Sequence, residues 1–351
     1  MTDNAPTRLA VVGAGPIGQR HLQAISAATN CQAVAVVDPA PLGKSTANNW
    51  QTPHYADMAA MFDDVSPDGV INATPNALHL PLSLECIERG IPVLVEKPIA
   101  DTLASAYALT EASEAAGVPV LVGHHRRHNP IVAKAREVVQ SGTLGRLTAI
   151  SATWLAHKPD DYFETSWRTE PGGGPILINL IHDIDSLRFI AGEITSVQGM
   201  TSSAGRGFEV EDTAALMLRF ASGALATVIL SDTAAAPWSW ELTANEKTSY
   251  TYPHTGQDCY LLAGSEASLA VPSLQLWRHD GARSWQTPMV SGQIAVKQAD
   301  PLQRQISHFA DVIHGRATPL ITARDATKTL EVCLAVSEAA AESREIQLKT
   351  D

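Results

Sequence analysis

The chain has 351 residues, 45% apolar and 18% charged, a composition that excludes a disordered polypeptide and allows two domains or three. With 25 Lys and Arg against 37 Asp and Glu, it carries a formal charge of −12, which repels phosphate backbones and argues against a nucleic-acid partner. Its longest apolar runs, such as residues 33–37 and 91–95, fall far short of the roughly 20 residues of a membrane span.

Residues 1–8 are polar, with Asp3 ahead of any base, so we expect no export signal and a cytoplasmic location. Residues 9–12 read as a strand, 16–26 as a helix and 33–38 as a Val-rich strand. Three further mostly apolar runs of strand length follow at 69–74, 92–96 and 118–123, with helical length and spacing over 77–89 and 103–116. Apolar strands separated by helices indicate a parallel sheet covered on both faces, and the right-handed crossover then gives a doubly wound α/β domain over residues 1–125. The texture changes after about residue 145. A helix over 130–140 leads into a strand over 146–155, a polar loop over 157–174 and a strongly apolar helix over 175–190. Strand candidates follow at 214–220, 224–230, 238–243 and 259–263, two of them joined by the turn pair Ser222-Gly223. Helices return at 301–314 and 323–341. Residues 126–351 are therefore expected to form an α+β domain whose mostly antiparallel sheet has one open face. Cys31, Cys86, Cys259 and Cys333 stand apart, without a CxxC pair, and read as reduced packing thiols.

Gly13-Ala14-Gly15-Pro16-Ile17-Gly18 fits GxGxxG, and a predicted strand precedes it and a predicted helix follows. The glycines permit a tight turn and close approach of a pyrophosphate to the backbone, and the helix start supplies free N–H groups for that anion. Asp38 lies 20 residues past Gly18, at the end of the second strand, where a carboxylate accepts hydrogen bonds from ribose hydroxyls and repels a 2′-phosphate. This combination predicts NAD in preference to NADP.

The strand over 92–96 ends in Glu96-Lys97-Pro98. Ligands of doubly wound sheets sit outside the carboxyl ends of the strands, which puts Lys97 at the crevice edge. There it could donate a hydrogen bond to a substrate oxygen and relay its proton. Taken alone, the tripeptide reads first as a surface lysine after a strand.

The sequence resembles the glucose–fructose oxidoreductase, inositol dehydrogenase and MocA family, over essentially its whole length. The resemblance is carried by GAGPIGQRH (13–21), NATPNALH (72–79), EKP (96–98), GHHRRHNP (123–130) and GGGPILINLIHDID (172–185). It implies an N-terminal Rossmann domain, a C-terminal domain whose open sheet often joins homodimers or homotetramers, and hydride transfer between a secondary alcohol and NAD(P). It makes Lys97 the catalytic lysine and His182 its histidine partner. It adds Thr74, Asn76, His79, Glu96, Lys97 and His125 to Gly13, Gly15, Pro16, Ile17, Gly18 and Asp38 as cofactor contacts. Arg126, Arg168 and Asn179 are implied to touch the substrate.

In the helix over 175–190, Ile178, Asn179, His182, Asp185 and Ser186 share a face by i, i+3, i+4 spacing. A lone histidine on an apolar helix is ordinarily a core residue, and only the resemblance makes His182 the group that takes the hydroxyl proton. Asp185 could orient its ring or serve as a structural cap. Arg168 could clamp an anionic or hydroxylated group with its planar fork, Arg127 reads as structural, and Trp238 and Trp240 as packing. The remaining histidines show no metal spacing, and we expect no metal. Relatives acting on sugars and inositols usually carry an acid four residues before the histidine, where this chain has Ile178. The leading expectation is an NAD-dependent dehydrogenase of a cyclic polyol, sugar or diol. The absence of an acid at Ile178, beside Lys97, His125, Arg126 and Arg168, all cationic or able to become so, keeps open a dehydrogenase of a cis-dihydrodiol carboxylate. Transient oxidation of a sugar for elimination or glycoside cleavage is a further enzyme alternative. A catalytically silent NAD-binding sensor is the alternative of a different class.

Overall fold

The computed structural model describes residues 5–246 and 252–349. Two compact units emerge, one of Met1–His128 with Asp300–Lys328 and one of Asn129–Ala299 with Thr329–Asp351.

The first unit runs β1 (Thr7–Val12), α1 (Pro16–Ala27), β2 (Cys31–Val37), α2 (Pro41–Asn49), β3 (His54–Tyr55), α3 (Met58–Asp64), β4 (Gly69–Asn72), α4 (His79–Glu88), β5 (Val93–Val95), α5 (Leu103–Ala116) and β6 (Val120–Val122). Its six strands lie in the order β3-β2-β1-β4-β5-β6, every pair parallel. The order reverses between β1 and β4, and the crevice outside their carboxyl ends is where such sheets take ligands. β4, β5 and β6 are buried at every position, as expected of strands covered on both faces.

The second unit begins with α6 (Pro130–Gln140) and β7 (Leu147–Leu155), and continues with α7 (Ile181–Ala191), β8 (Ile194–Ser202), β9 (Thr213–Phe220), β10 (Leu225–Ser231), α8 (Trp240–Thr243), β11 (Tyr260–Gly264), β12 (Ala267–Val271), β13 (Gln275–His279) and β14 (Met289–Gln293). After α9 (Pro301–Ile313) and α10 (Ala323–Glu342), β15 (Ile346–Gln347) closes one edge. The nine-stranded sheet has the order β14-β13-β12-β11-β7-β10-β9-β8-β15, antiparallel except where β7 meets β10. Along β9 the residues alternate, with Leu216, Leu218 and Phe220 buried among the core and Ala215, Met217 and Arg219 exposed. Period-two alternation of this kind marks a sheet with one face in the core and one outside.

Three expectations change. Residues 238–243 alternate like a strand, yet Trp240–Thr243 is a helical turn. Ser239 Oγ accepts Leu242 N–H at 3.4 Å and Thr243 Oγ1 donates to Ser239 O at 2.8 Å, so the capping serine overrides the alternation. Trp240 packs as expected, 1% exposed and stacked on Tyr260, but Trp238 is 42% exposed. The second change is in the unit boundary, because 300–328 belongs with the first unit and not with residues 126–351 as a block. There α9 buries Leu302, Ile306, Phe309 and Val312. Gly69 of β4 leaves the space that Phe309 and Ile313 fill, since a Cβ would lie 2.6 Å from Ile313 Cδ1. Val122 N–H donates to Ile321 O at 3.1 Å, which ties the returning chain to β6. Third, α2, α3 and the short β3 are additional to the predicted elements. Among the described residues no helix is long and apolar enough to cross a membrane, and no three His, Cys, Asp or Glu gather as a metal site.

Candidate active site

In the first unit the glycine loop is set by contacts that need glycine. Gly13 has φ +96°, and a Cβ there would lie 2.5 Å from Ala73 O of the neighbouring strand end. A Cβ on Gly18 would lie 1.9 Å from Gly13 O, so only glycine lets α1 start against β1. Gly15 is different, because a Cβ there meets nothing within 4 Å. Gly15 is also the residue before α1, with Pro16 first in the helix, Ile17 half-buried after it and no side chain capping the start. First-turn N–H groups without a side-chain cap, beside an open glycine, suit an anionic pyrophosphate. Asp38 follows β2. Its Oδ2 accepts Ala14 N–H at 2.8 Å and its Oδ1 accepts Ala40 N–H at 2.8 Å. Roughly four acceptor sites exist on a carboxylate, so two remain for ribose hydroxyls. These residues fit a bound NAD.

Next to this loop stands the Lys97 corner. Lys97 is half-buried at the end of β5, and the Lys97–Pro98 peptide is cis. Two buried histidines flank it. His79 of α4 places Nδ1 2.9 Å from Pro98 O and Nε2 2.9 Å from Thr74 O. Thr74 Oγ1 in turn donates to Asn72 Oδ1 at 2.6 Å, while Asn76 is exposed in the short turn Asn76–Leu78. Burial lowers the His79 imidazole, against the opposing effect of those carbonyl bonds. His79 thus joins the Thr74 loop to the Pro98 corner and keeps no open face toward solvent. On the other flank His21 of α1 places Nε2 2.7 Å from Glu96 Oε1, and Glu96 Oε2 accepts Lys97 N–H at 3.2 Å.

Burial by itself would raise the Glu96 carboxyl, but the His21 hydrogen bond, followed by the charges of His21, Lys97 and His125, brings it down to about 2. A carboxyl depressed from 4.5 in the unfolded chain stabilises the fold fully above that pH and loses the contribution as pH falls toward about 2. His125 sits in the turn His125–His128. Burial first, then the charges of Arg126 and Arg20, hold its imidazole well below the usual range, so it is neutral near pH 7. Arg126 is 2% exposed, one of the largest fully buried side chains, and Arg127 pairs with Asp325.

In the second unit, 175–190 is not one continuous α-helix. Ile176–Leu180 forms a π-helical turn, and α7 begins at Ile181. One extra residue in that turn rotates Ile178 and Asn179 relative to His182, which changes the simple i, i+4 face expected from the sequence. Within α7 the stretch Asp183 to Ile190 is buried throughout, as is Ile181, whereas His182 is half-buried, with its Nδ1 inside. Asn179 Oδ1 is buried with no hydrogen-bond partner. Asp185 Oδ1 accepts Thr329 Oγ1 at 3.2 Å, so Thr329 shares its carboxylate. Arg168 lays its guanidinium 3.9 Å over the Tyr162 ring and donates from Nη1 to Tyr162 O at 2.6 Å.

Sequence reasoning missed Glu211. Its Oε1 accepts Ile176 N–H at 3.0 Å at the start of the π-turn, and Gly174 gives it room, since a Cβ there would lie 2.3 Å from Oε1. Burial raises its carboxyl, opposed by the Ile176 bond. No local motif marks this acid, which arrives from 35 residues along the chain. His21 did have a signal, as the ninth residue of the stretch beginning at Gly13.

A parallel sheet of order 3-2-1-4-5-6 with this glycine loop and an acid at the end of β2 defines a dinucleotide-binding domain. Residues 7–124 match the model of the oxidoreductase family with NAD-binding Rossmann fold, and 132–269 match the GFO/IDH/MocA C-terminal domain. The chain belongs to the GFO/IDH/MocA oxidoreductase family. It is 28% identical over 292 residues to 1,5-anhydro-D-fructose reductase of Ensifer adhaerens, covering 82% of this chain and 81% of the relative. It is 26% identical to scyllo-inositol 2-dehydrogenase (NAD(+)) of Bacillus subtilis strain 168, covering 97% and 96%. Among solved structures, that of the putative dehydrogenase from Bordetella bronchiseptica RB50 is 27% identical, with a TM-score of 0.80 over 98% of this chain and all of the other.

Proposed function

We propose that the protein is an NAD-dependent dehydrogenase that oxidises a secondary alcohol of a cyclic polyol, sugar or diol, with proton transfer by Lys97 and His182. The observation that carries the reading is Lys97 half-exposed at the carboxyl end of β5, backed by Glu96 and adjoining a loop built for a dinucleotide. NAD, when bound, accepts a hydride from the alcohol carbon. Gly13 and Gly18 shape the loop, the start of α1 holds the pyrophosphate, and Asp38 holds the ribose. Lys97 Nζ donates a hydrogen bond to the reacting oxygen, and His182 takes the hydroxyl proton. Relatives named as a scyllo-inositol dehydrogenase and an anhydrofructose reductase support a polyol or sugar over other alcohols. Glu211 supports it too. The case for a dihydrodiol carboxylate rests on a shortage of acceptors, and Glu211 restores one at the π-turn that leads into the helix of His182. Formation of NADH on a panel of polyols, sugars and dihydrodiols is the test. Tight NAD binding without turnover on any of them would favour a sensor instead.

The cofactor choice rests on Asp38. Wild type is expected to prefer NAD, and Asp38→Ser to move the ratio of kcat/KM values toward NADP by about tenfold or more, since it removes one negative charge from the 2′-phosphate position. A wild-type preference for NADP would end this assignment.

The open sheet face supports a homodimer or homotetramer. Met200, Met217, Leu225 and Leu261 are 76%, 54%, 50% and 55% exposed on β8 to β11 of one sheet. Apolar side chains gathered in this way on a regular face are characteristic of an interface. Light scattering is expected to find an oligomer, and Met217→Lys combined with Leu261→Glu to yield monomers that still bind NAD.

A further inference from the structure

Glu96 is an acid with little access to water, 7% exposed, directly before the lysine of the proposed proton transfer. Three features are built around it. His21 is 0% exposed and reaches it from α1, at 2.7 Å from Oε1. Lys97 N–H donates to Oε2. Gly123, just past β6, leaves the carboxylate its space, because a Cβ there would lie 2.9 Å from both Cδ and Oε1. Buried charged pairs contribute little net stability compared with apolar residues of similar size, so stability alone gives no reason for one here. Resting on the reading of Lys97 as the group on the reacting oxygen, we propose that His21 is a positioning residue for Lys97: its Nε2–H keeps Glu96 an anion at the strand end, and that anion holds the Lys97 side chain as an ammonium ion that donates a hydrogen bond to the substrate oxygen while His182 takes the hydroxyl proton.

The groups facing this anion are His21 from α1, Lys97 itself, His125 from the turn after β6 and His79 from α4, while Arg20 and Arg126 face His125. Among these, Glu96 alone is negative. The coupling is mutual, since the Lys97 charge lowers the Glu96 carboxyl and the Glu96 anion must favour the Lys97 ammonium by the same interaction. Without His21 the burial that raises the Glu96 carboxyl is opposed only by the 3.2 Å bond from Lys97 N–H and by the neighbouring charges, so the acid is held less firmly as an anion and its hold on the Lys97 ammonium weakens.

Competitive acetylation of lysines by acetic anhydride across pH, read by mass spectrometry on the full-length protein, reports the midpoint of each amine. In His21→Leu and in Glu96→Gln the Lys97 midpoint is expected to fall by about one pH unit, a tenfold rise in its amine fraction below the midpoint. The exposed Lys44 should not move. His21→Gln keeps an N–H donor and should stay near wild type. An unmoved Lys97 midpoint in Glu96→Gln overturns the proposal, and that variant decides if His21→Leu does not fold. A midpoint that moves in Glu96→Gln but not in a folded His21→Leu also overturns it, because His21 would then be unnecessary. Turnover of Lys97→Ala tests the underlying reading separately, and full activity there removes the acid–base role whatever the labelling shows.

Discussion

Lys97→Ala is expected to lower kcat by about 10²–10⁴-fold, the usual contribution of a positioned acid–base group, while leaving NAD affinity and melting temperature near wild type. The expectation follows from where the lysine stands. It is half-exposed, so its truncation opens no core cavity, and its backbone N–H to Glu96 survives the change. The corner is also held from both sides without the side chain, by His79 on Pro98 O and by His21 on Glu96. His182→Ala is expected to behave similarly. In an α-helix whose residues Asp183 to Ile190 are all buried, the one histidine is only partly buried, so truncating it cuts less into the core than truncating its neighbours. Stopped-flow turnover and thermal melting on the same samples separate the outcomes. If His182→Ala keeps nearly normal kcat but melts much earlier, the histidine is structural. If Lys97→Ala alone loses turnover, Lys97 is the sole proton-transfer group.

What could be read from sequence was local. The glycine loop, Asp38 and the EKP corner are each encoded within a few residues of a strand end, where period and turn chemistry speak directly, and α5 and α6 occupy 103–116 and 130–140 as the apolar spacing indicates. Non-local features were not legible. Glu211 reaches Ile176 from the β8–β9 connection, and no spacing rule links them. The return of 300–328 to the first unit depends on Gly69 leaving room for Ile313, a fit between residues 244 apart. The π-turn at Ile176–Leu180 was hidden for another reason, because a periodicity argument presupposes the helix type. It matters for substrate, since the absence of an acid at Ile178 counts for less once the turn is rotated and Glu211 caps its start. The strand expected at 238–243 failed because a serine cap outweighed alternation over six residues.

Gly15→Ala and Gly18→Ala should separate binding from folding in the same loop. At Gly15 a methyl group meets nothing within 4 Å, and the glycine's φ of −63° is open to alanine. The protein should therefore fold with an unchanged melting temperature. The methyl would nevertheless stand at the uncapped start of α1, where a pyrophosphate must approach the backbone, so the Kd for NAD is expected to rise about tenfold or more, ~1.4 kcal/mol. At Gly18 the methyl would lie 1.9 Å from Gly13 O and 3.0 Å from its carbonyl carbon, both backbone, so α1 must move away from β1. Overpacking of this kind costs ~1–3 kcal/mol and more where backbone cannot yield, so Gly18→Ala should lose both stability and NAD binding. Denaturant unfolding and calorimetric titration with NAD measure the two effects independently. Should Gly15→Ala bind NAD as tightly as wild type, the dinucleotide does not pass over Gly15, and the assignment of the loop to the pyrophosphate is wrong even though the fold around it is intact.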